Sequence, residues 1–414
     1  MNAAILTIGD ELLNGQTIDT NAAWLGRRLN DIGITVICKL SVGDQRSDII
    51  AGLDSAFNQS SIVLVTGGLG PTHDDITKKV LAEYFNDELV FHQDTYDRIL
   101  GYFEKRGRQV TEAHRAQCFM PQKARIITNK KGTAPGMWIQ DDSRVLLSMP
   151  GVPSEMKGVM EDVGLVRLRD LNTDSHVTHY IIQTAGIGET MIAERISDIV
   201  NQLPPDIALA YLPGIASVKV RLTAKGQKAD WLRSALVSYG SQITSRLGTK
   251  VFGVGETTLQ ETVGRLAQNR GLLIGTAESC TGGSIARALT SIAGSSAYFK
   301  GSIVAYANEV KMQLLKVPKD ILNHHGAVSE ETVRSMVQGA IPRLGVDTAI
   351  AVSGIAGPSG GSPQKPVGTI WIAVGDRQRI VTRRLQLAKD RQLNIDYTVV
   401  ASLDLLRLFL EKAI

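Results

Sequence analysis

The stretch Glu278-Ser279-Cys280-Thr281-Gly282-Gly283 has the composition of a loop that exposes a nucleophile. It follows a continuous apolar run, 272–277, of the kind that forms a buried strand, and it precedes a helical face of Ile285, Leu289 and Ile292. Ser279 is therefore expected at a strand-to-helix elbow, where the amides of Thr281, Gly282 and Gly283 at the helix start can receive an oxyanion or a phosphate. A serine hydroxyl needs a base. Residues 302–305 read as the next strand, Asn308 as the cap of the helix after it, and Lys311 falls in that helix's first turn. If the two strands are neighbours, Lys311 and Ser279 approach one edge. A lysine accepts a proton only when desolvation or nearby positive charge has lowered its proton affinity; read alone, the same residue is a solvated surface charge. Cys280 is a rival nucleophile with equal access to the helix start, or else a small buried filler.

Other candidates lie further along. The connection 354–368 between strands at 347–353 and 369–374 holds five glycines and three prolines, and a stretch of that length usually binds something. Lys365 within it is a second candidate cation. Arg391, near the start of the final helix, has the planar fork that suits a phosphate, although the basic run 377–391 reads equally as a solvated face. His324 and His325 precede a helix capped by Ser329 and fit a loop better than a metal site, which needs further donors.

The amino half offers different chemistry. Gly9-Asp10-Glu11 follows the apolar run 3–8, Gly67 to Asp75 follows 62–66, and Pro150-Gly151-Val152-Pro153 follows 145–149. Gly67, Gly68 and Gly70 let backbone amides approach an anion, whereas Asp10, Asp74 and Asp75 repel phosphate unless a divalent cation sits between. A metal-bridged phosphate site is one reading; helix and turn caps are the other.

These loops share an edge only in a parallel sheet. The pattern supplies one: a strand at 3–8, a helix with Ala22, Leu25, Leu29 and Ile32 on one face capped by Thr20, a strand at 34–38, a helix capped by Ser47, and a strand at 62–66. A smaller α+β segment follows, with strands at 180–184 and 217–223 and helices at 189–203 and 228–247. The last part opens with a capping box, Thr258 and Glu261, ahead of a helix closed by Gly271. The expected fold class is α/β throughout, with domains 1–170, 171–253 and 254–414.

Composition narrows the function. Lys plus Arg number 45 against 41 Asp plus Glu and aromatics are 5%, so a nucleic-acid groove of cations and stacked rings is not expected. Three widely spaced cysteines fit a reducing, cytoplasmic setting, and no apolar run reaches the ~18 residues of a membrane helix.

Residues 9–11, 14–21, 66–77, 132–136 and 150–156 resemble the amino-terminal domain of the CinA (competence/damage-inducible) family, which is similar to the molybdopterin-binding fold. The segments 277–283, 294–306, 308–311, 325–330, 353–358 and 365–369 resemble its carboxyl domain, also found alone as a nicotinamide-nucleotide amidase. The resemblance implies a bifunctional hydrolase of pyridine-nucleotide salvage. Its carboxyl domain deamidates nicotinamide mononucleotide, with Ser279 and Lys311 as the catalytic dyad and Glu278, Thr281, Gly282, Gly283, Tyr306, Ser353, Gly354 and Arg391 around the substrate. Its amino domain hydrolyses ADP-ribose to AMP and ribose 5-phosphate at Gly67, Gly68 and Gly70, with Asp10, Asp74 and Asp75 holding a divalent ion (Mg, Mn or Co) and K as a further ion. A homodimer with small nucleotides as partners, no membrane and no nucleic acid is expected. Two alternatives stay open: a non-catalytic molybdopterin-type ligand site in the amino domain, and a partner in competence or DNA processing.

Overall fold

The apolar run that opens the chain becomes strand β1 (Asn2–Ile8), buried from Ala3 onward. The computed structural model describes residues 1–70, 76–141, 143–171, 176–387 and 390–414. They divide into two compact units, Met1–Thr178 with Lys225–Asp230, and His179–Ala224 with Trp231–Ile414.

In the first unit, β1 is followed by α1 (Thr20–Asp31), β2 (Thr35–Val42), α2 (Arg46–Phe57) and β3 (Ile62–Thr66). After α3 (Thr77–Tyr84) come β4 (Arg125–Ile127), β5 (Gly136–Gln140), β6 (Val145–Met149) and α4 (Pro153–Val159). The sheet order is β2-β1-β3-β6-β5-β4. The first four strands are parallel, as expected, and β5 and β4 extend the sheet antiparallel. Alternation along β1 sends Ala3 and Ile5 to one core with Leu25 and Leu29 of α1, and Ala4 and Leu6 to the other with Ile49 and Leu53 of α2. Two caps differ from expectation. Asp19, not Thr20, caps α1, its carboxylate accepting the Ala22 amide at 2.8 Å, and α2 begins one residue before Ser47 with no side-chain cap. A carboxylate outcompetes a hydroxyl for a helix start because it also favours the positive end of the dipole.

The second unit holds two sheets. One has the order β8-β9-β7-β10, from β7 (His176–Ala185), β8 (Ile207–Gly214), β9 (Ser217–Gly226) and β10 (Val251–Val254), against helices α5 (Glu189–Val200) and α6 (Ala229–Leu247). The other carries α7 (Leu259–Asn269), β11 (Ile274–Glu278), α8 (Ser284–Thr290), β12 (Phe299–Val304), α9 (Asn308–Leu315), α10 (Glu330–Leu344), β13 (Thr348–Gly354), β14 (Thr369–Gly375), β15 (Ile380–Gln386) and α11 (Arg391–Leu410). Its order is β12-β11-β13-β14-β15, the first three parallel and the last two antiparallel. Ile274, Ile350 and Val352 face α7 and α11, while Ala277, Ala349 and Ala351 face α10, where small side chains let the helix approach the sheet. The expected capping box is present: Thr258 accepts the Glu261 amide and Glu261 accepts the Thr258 amide.

Late in α11 the apolar pattern is broken by an arginine only 1% exposed. Arg407 donates to Asp404 at 2.6 Å, to Glu411 at 2.7 Å and to the carbonyl of Thr249 at 2.7 Å, which ties α11 to the turn before β10. Removing one partner from a buried pair leaves the other charge stranded. Arg407→Ala is expected to lower the unfolding free energy of the second unit by about 3 kcal/mol in urea titration. Arg28→Ala, which breaks a surface pair with Asp31, should change that of the first by less than about 0.5 kcal/mol.

Candidate active site

Because β11 lies between β12 and β13, with Glu278 in register with Val304 and Val352, the three strands end at one edge and Ser279 emerges there between two loops. Its amide donates to Val352 O at 3.0 Å, which anchors the elbow to β13. The turn into α8 needs two successive left-handed residues, Gly282 (φ +59°) and Gly283 (φ +99°), where a side chain would be strained.

Glu278, expected beside the substrate, has its carboxylate engaged within the chain. It is fully buried and folds onto the start of α8. Its carboxylate accepts the amides of Gly283 (3.0 Å), Ile285 (3.1 Å) and Ala286 (2.9 Å) and the hydroxyls of Thr281 (2.7 Å) and Thr276 (3.1 Å). A buried carboxylate needs this many donors to offset its lost hydration. The anion site expected at the helix start is thus filled by the chain itself. The Gly282 amide goes to Ser279 O at 3.1 Å, so of the three amides expected to be free, only that of Thr281 has no acceptor among the described residues.

Lys311 reaches Ser279 from the neighbouring crossover. Ala307, rather than Asn308, stands at the cap of α9, and the lysine sits one turn in, 1% exposed. Its Nζ lies 3.0 Å from Ser279 Oγ, 2.8 Å from Ala305 O and 3.2 Å from Tyr306 O. None of these groups is charged. Burial holds the Lys311 amine below its ordinary proton affinity, only partly opposed by Cys280 and Glu309. Burial also pushes the Cys280 thiol up to about 12, and its side chain belongs to the core under β11. A thiol held protonated by burial is a poor nucleophile, which favours Ser279 over Cys280.

Around this pair, the Tyr306 hydroxyl is 3.1 Å from Arg391, whose other nitrogen donates to Gly357 O at 2.8 Å. Arg391 thus links the loop after β12 to the loop after β13. Ser353 is buried and donates to Ala327 O at 2.6 Å, and Gly354 beside it packs on Ile370, so both shape the edge rather than offer free groups. Lys365 donates to His325 O at 2.6 Å, a tether between two loops.

In the first unit the loops after β3 and β6 do meet. Thr66 Oγ1 donates to Pro150 O at 2.9 Å, the Gly67 amide to Met149 O at 3.2 Å, and Asn21 Nδ2 to Gly151 O at 2.7 Å. Gly67 passes so close to β1 that a Cβ would lie 2.1 Å from Ile8 O. Asn21, Thr66, Gly67 and Gly151 line a recess of about 90 Å³ with Thr7 and Glu11, and Gly68, Gly70 and Asp10 are not among its lining residues. Asn21 was not singled out in the sequence. Its Oδ1 is buried without a hydrogen-bond partner among the described residues, and its place in the first turn after the β1 loop was the available signal. Asp10 is exposed and accepts the Asp44 amide at 3.2 Å. Asp74 and Asp75 lie outside the described residues, among which no group of three or more His, Cys, Asp or Glu could hold a metal.

Comparison with known proteins bears on the whole chain. Residues 4–170 match the probable molybdopterin binding domain, 179–253 the damage-inducible protein CinA KH domain, and 256–410 the CinA C-terminal domain. A CinA-like protein of Cytophaga hutchinsonii is 45% identical over 405 residues, spanning 98% of this chain and 97% of its own. One of Salinibacter ruber is 40% identical over 98% of each. Among solved structures, a CinA-superfamily protein from Klebsiella pneumoniae is 37% identical over 37% of this chain and 96% of its own, with a TM-score of 0.36.

Glu278→Gln turns an amide nitrogen toward backbone donors that now share a carboxylate. It is expected to cost on the order of 3 kcal/mol in urea unfolding of the second unit; an unchanged midpoint would show that Glu278 does not hold the elbow.

Proposed function

This chain belongs to the CinA family, and from that premise we propose that its carboxyl domain hydrolyses the carboxamide of nicotinamide mononucleotide to nicotinate mononucleotide and ammonia. The observation that carries this reading is the 3.0 Å approach of the buried Lys311 amine to Ser279 Oγ. Ser279 Oγ attacks the carboxamide carbon and its proton passes to Lys311 Nζ. The oxyanion takes the Thr281 amide, which has no acceptor among the described residues. Collapse breaks the carbon–nitrogen bond, and Lys311 returns the proton to the departing ammonia. Water then cleaves the ester, giving up one proton to Lys311 that goes back to Ser279 Oγ. Arg391, joined to Tyr306 at the same mouth, is the cation suited to the substrate phosphate.

For the amino domain we propose hydrolysis of ADP-roibose's pyrophosphate link, that is, ADP-ribose to AMP and ribose 5-phosphate, in the glycine loops around Thr66, Gly67 and Gly151. The family resemblance supports this reading, and no step is assigned to a metal that the described residues do not hold. The match of 4–170 to a molybdopterin binding domain favours ligand capture without turnover as the second reading.

Ser279→Ala should abolish ammonia release from nicotinamide mononucleotide, scored by product chromatography, while Cys280→Ala largely spares it; the reverse pattern would overturn the assignment. With ADP-ribose, AMP formation should stop on chelator treatment and return with added divalent ion. Binding without any AMP would instead support the capture reading.

A further inference from the structure

The sheet that presents Ser279 at its carboxyl edge has a second recess at its amino edge. This recess, about 740 Å³, lies where β11 and β13 begin. From Leu272 to Ser279 the strand runs seven residues, roughly 23 Å, so the two places are separate. Leu272, Phe409 and Leu410 form apolar wall, and the turn after β14 closes the opposite side.

The charge around it is unbalanced. Arg270, Arg377 and Lys412 line the recess, and none of the three side chains has a hydrogen-bond or ion-pair partner among the described residues. The two carboxylates present are both turned to backbone. Asp376 accepts the amides of Gln378 (2.7 Å) and Arg379 (2.9 Å), and Asp347 accepts that of Leu273 (2.8 Å). Arg379 is committed as well: it donates to Phe409 O at 3.2 Å and lies over the Phe409 ring at 4.4 Å. Three unpaired cations beside an apolar wall call for a ligand that carries both a compact anion and a flat apolar part. The volume falls within the range of small-molecule sites, ~300–1,000 Å³. Guanidinium forks match phosphate oxygens better than a single carboxylate needs.

We propose that this recess binds a nucleoside phosphate, with the phosphates on Arg270, Arg377 and Lys412 and the base against Leu272, the partly exposed apolar residue of the wall. It is independent of the chemistry at Ser279. The three cations come from the end of α7, the β14–β15 turn and the end of α11, so a ligand there clamps the amino ends of the strands that carry the elbow.

The test titrates full-length protein with N-methylanthraniloyl-ATP by fluorescence anisotropy. Arg270→Glu/Arg377→Glu/Lys412→Glu should weaken one saturable component at least tenfold, and Arg391→Ala should leave it intact. ADP should displace the probe from that component and adenosine should not. Binding elsewhere in the chain is common to the parent and the recess variants and drops out of their difference, while Arg391→Ala reports any contribution from the mouth near Ser279. Should the triple variant unfold early, Arg377→Gln alone should still weaken that component at least threefold. Equal affinity in the charge variants, loss of the component in Arg391→Ala, or displacement by duplex DNA but not by ADP would overturn the proposal.

Discussion

The carboxyl domain turns on one buried amine with no carboxylate opposite it. Lys311 Nζ faces two carbonyls and one hydroxyl, all neutral, at hydrogen-bonding distance. A neutral amine has two hydrogens and one lone pair; the carbonyls can accept but not donate, so they take the hydrogens and leave the lone pair for Ser279. An ammonium in the same place would make three bonds and still carry an uncompensated charge away from water. The three acceptors can serve either protonation state, so it is desolvation that favours the neutral amine a general base requires.

The rest of the domain serves that contact. Parallel neighbours β12 and β13 bring two loops to the end of β11, and the first turn of α9 delivers the lysine. Glu278 then fixes the elbow by occupying the helix start with its own carboxylate. One consequence is chemical: with that anion site filled, the cation at the same mouth is a side chain, Arg391, which joins Tyr306 to the Gly357 carbonyl. The amino unit works differently. Its glycine loops meet through backbone carbonyls, Thr66 and Asn21, and among the described residues no three carboxylates, histidines or cysteines gather as a metal site.

Much of this was legible in residue order. Apolar runs of buried strands, the capping box at Thr258 and Glu261, and the spacing from Ser279 to Lys311 are local signals, and each led to the right element. Strand adjacency was conditional, because nothing local says which strands pair. The antiparallel additions β4, β5 and β15 were missed or unplaced for the same reason. The part Glu278 plays in the turn was not legible: nothing local says that its carboxylate folds back onto the start of its own helix. Asp19 was overlooked as the cap of α1 because Thr20 offered an equally good local pattern. Asn21 closes the stretch 14–21 that carries the family resemblance, but nothing local assigns it a role, and its orphaned oxygen is what marks it.

The most direct measurement is the titration of the Lys311 side chain itself. In protein labelled with ¹³C at lysine Cε, one signal should vanish in Lys311→Arg, and in the parent protein it should lose its proton at a lower pH than the bulk of the lysines, since burial lowers the amine's affinity. A Lys311 signal that titrates together with the solvated lysines would mean that the amine is charged beside Ser279, and the base assigned to the reaction would be gone.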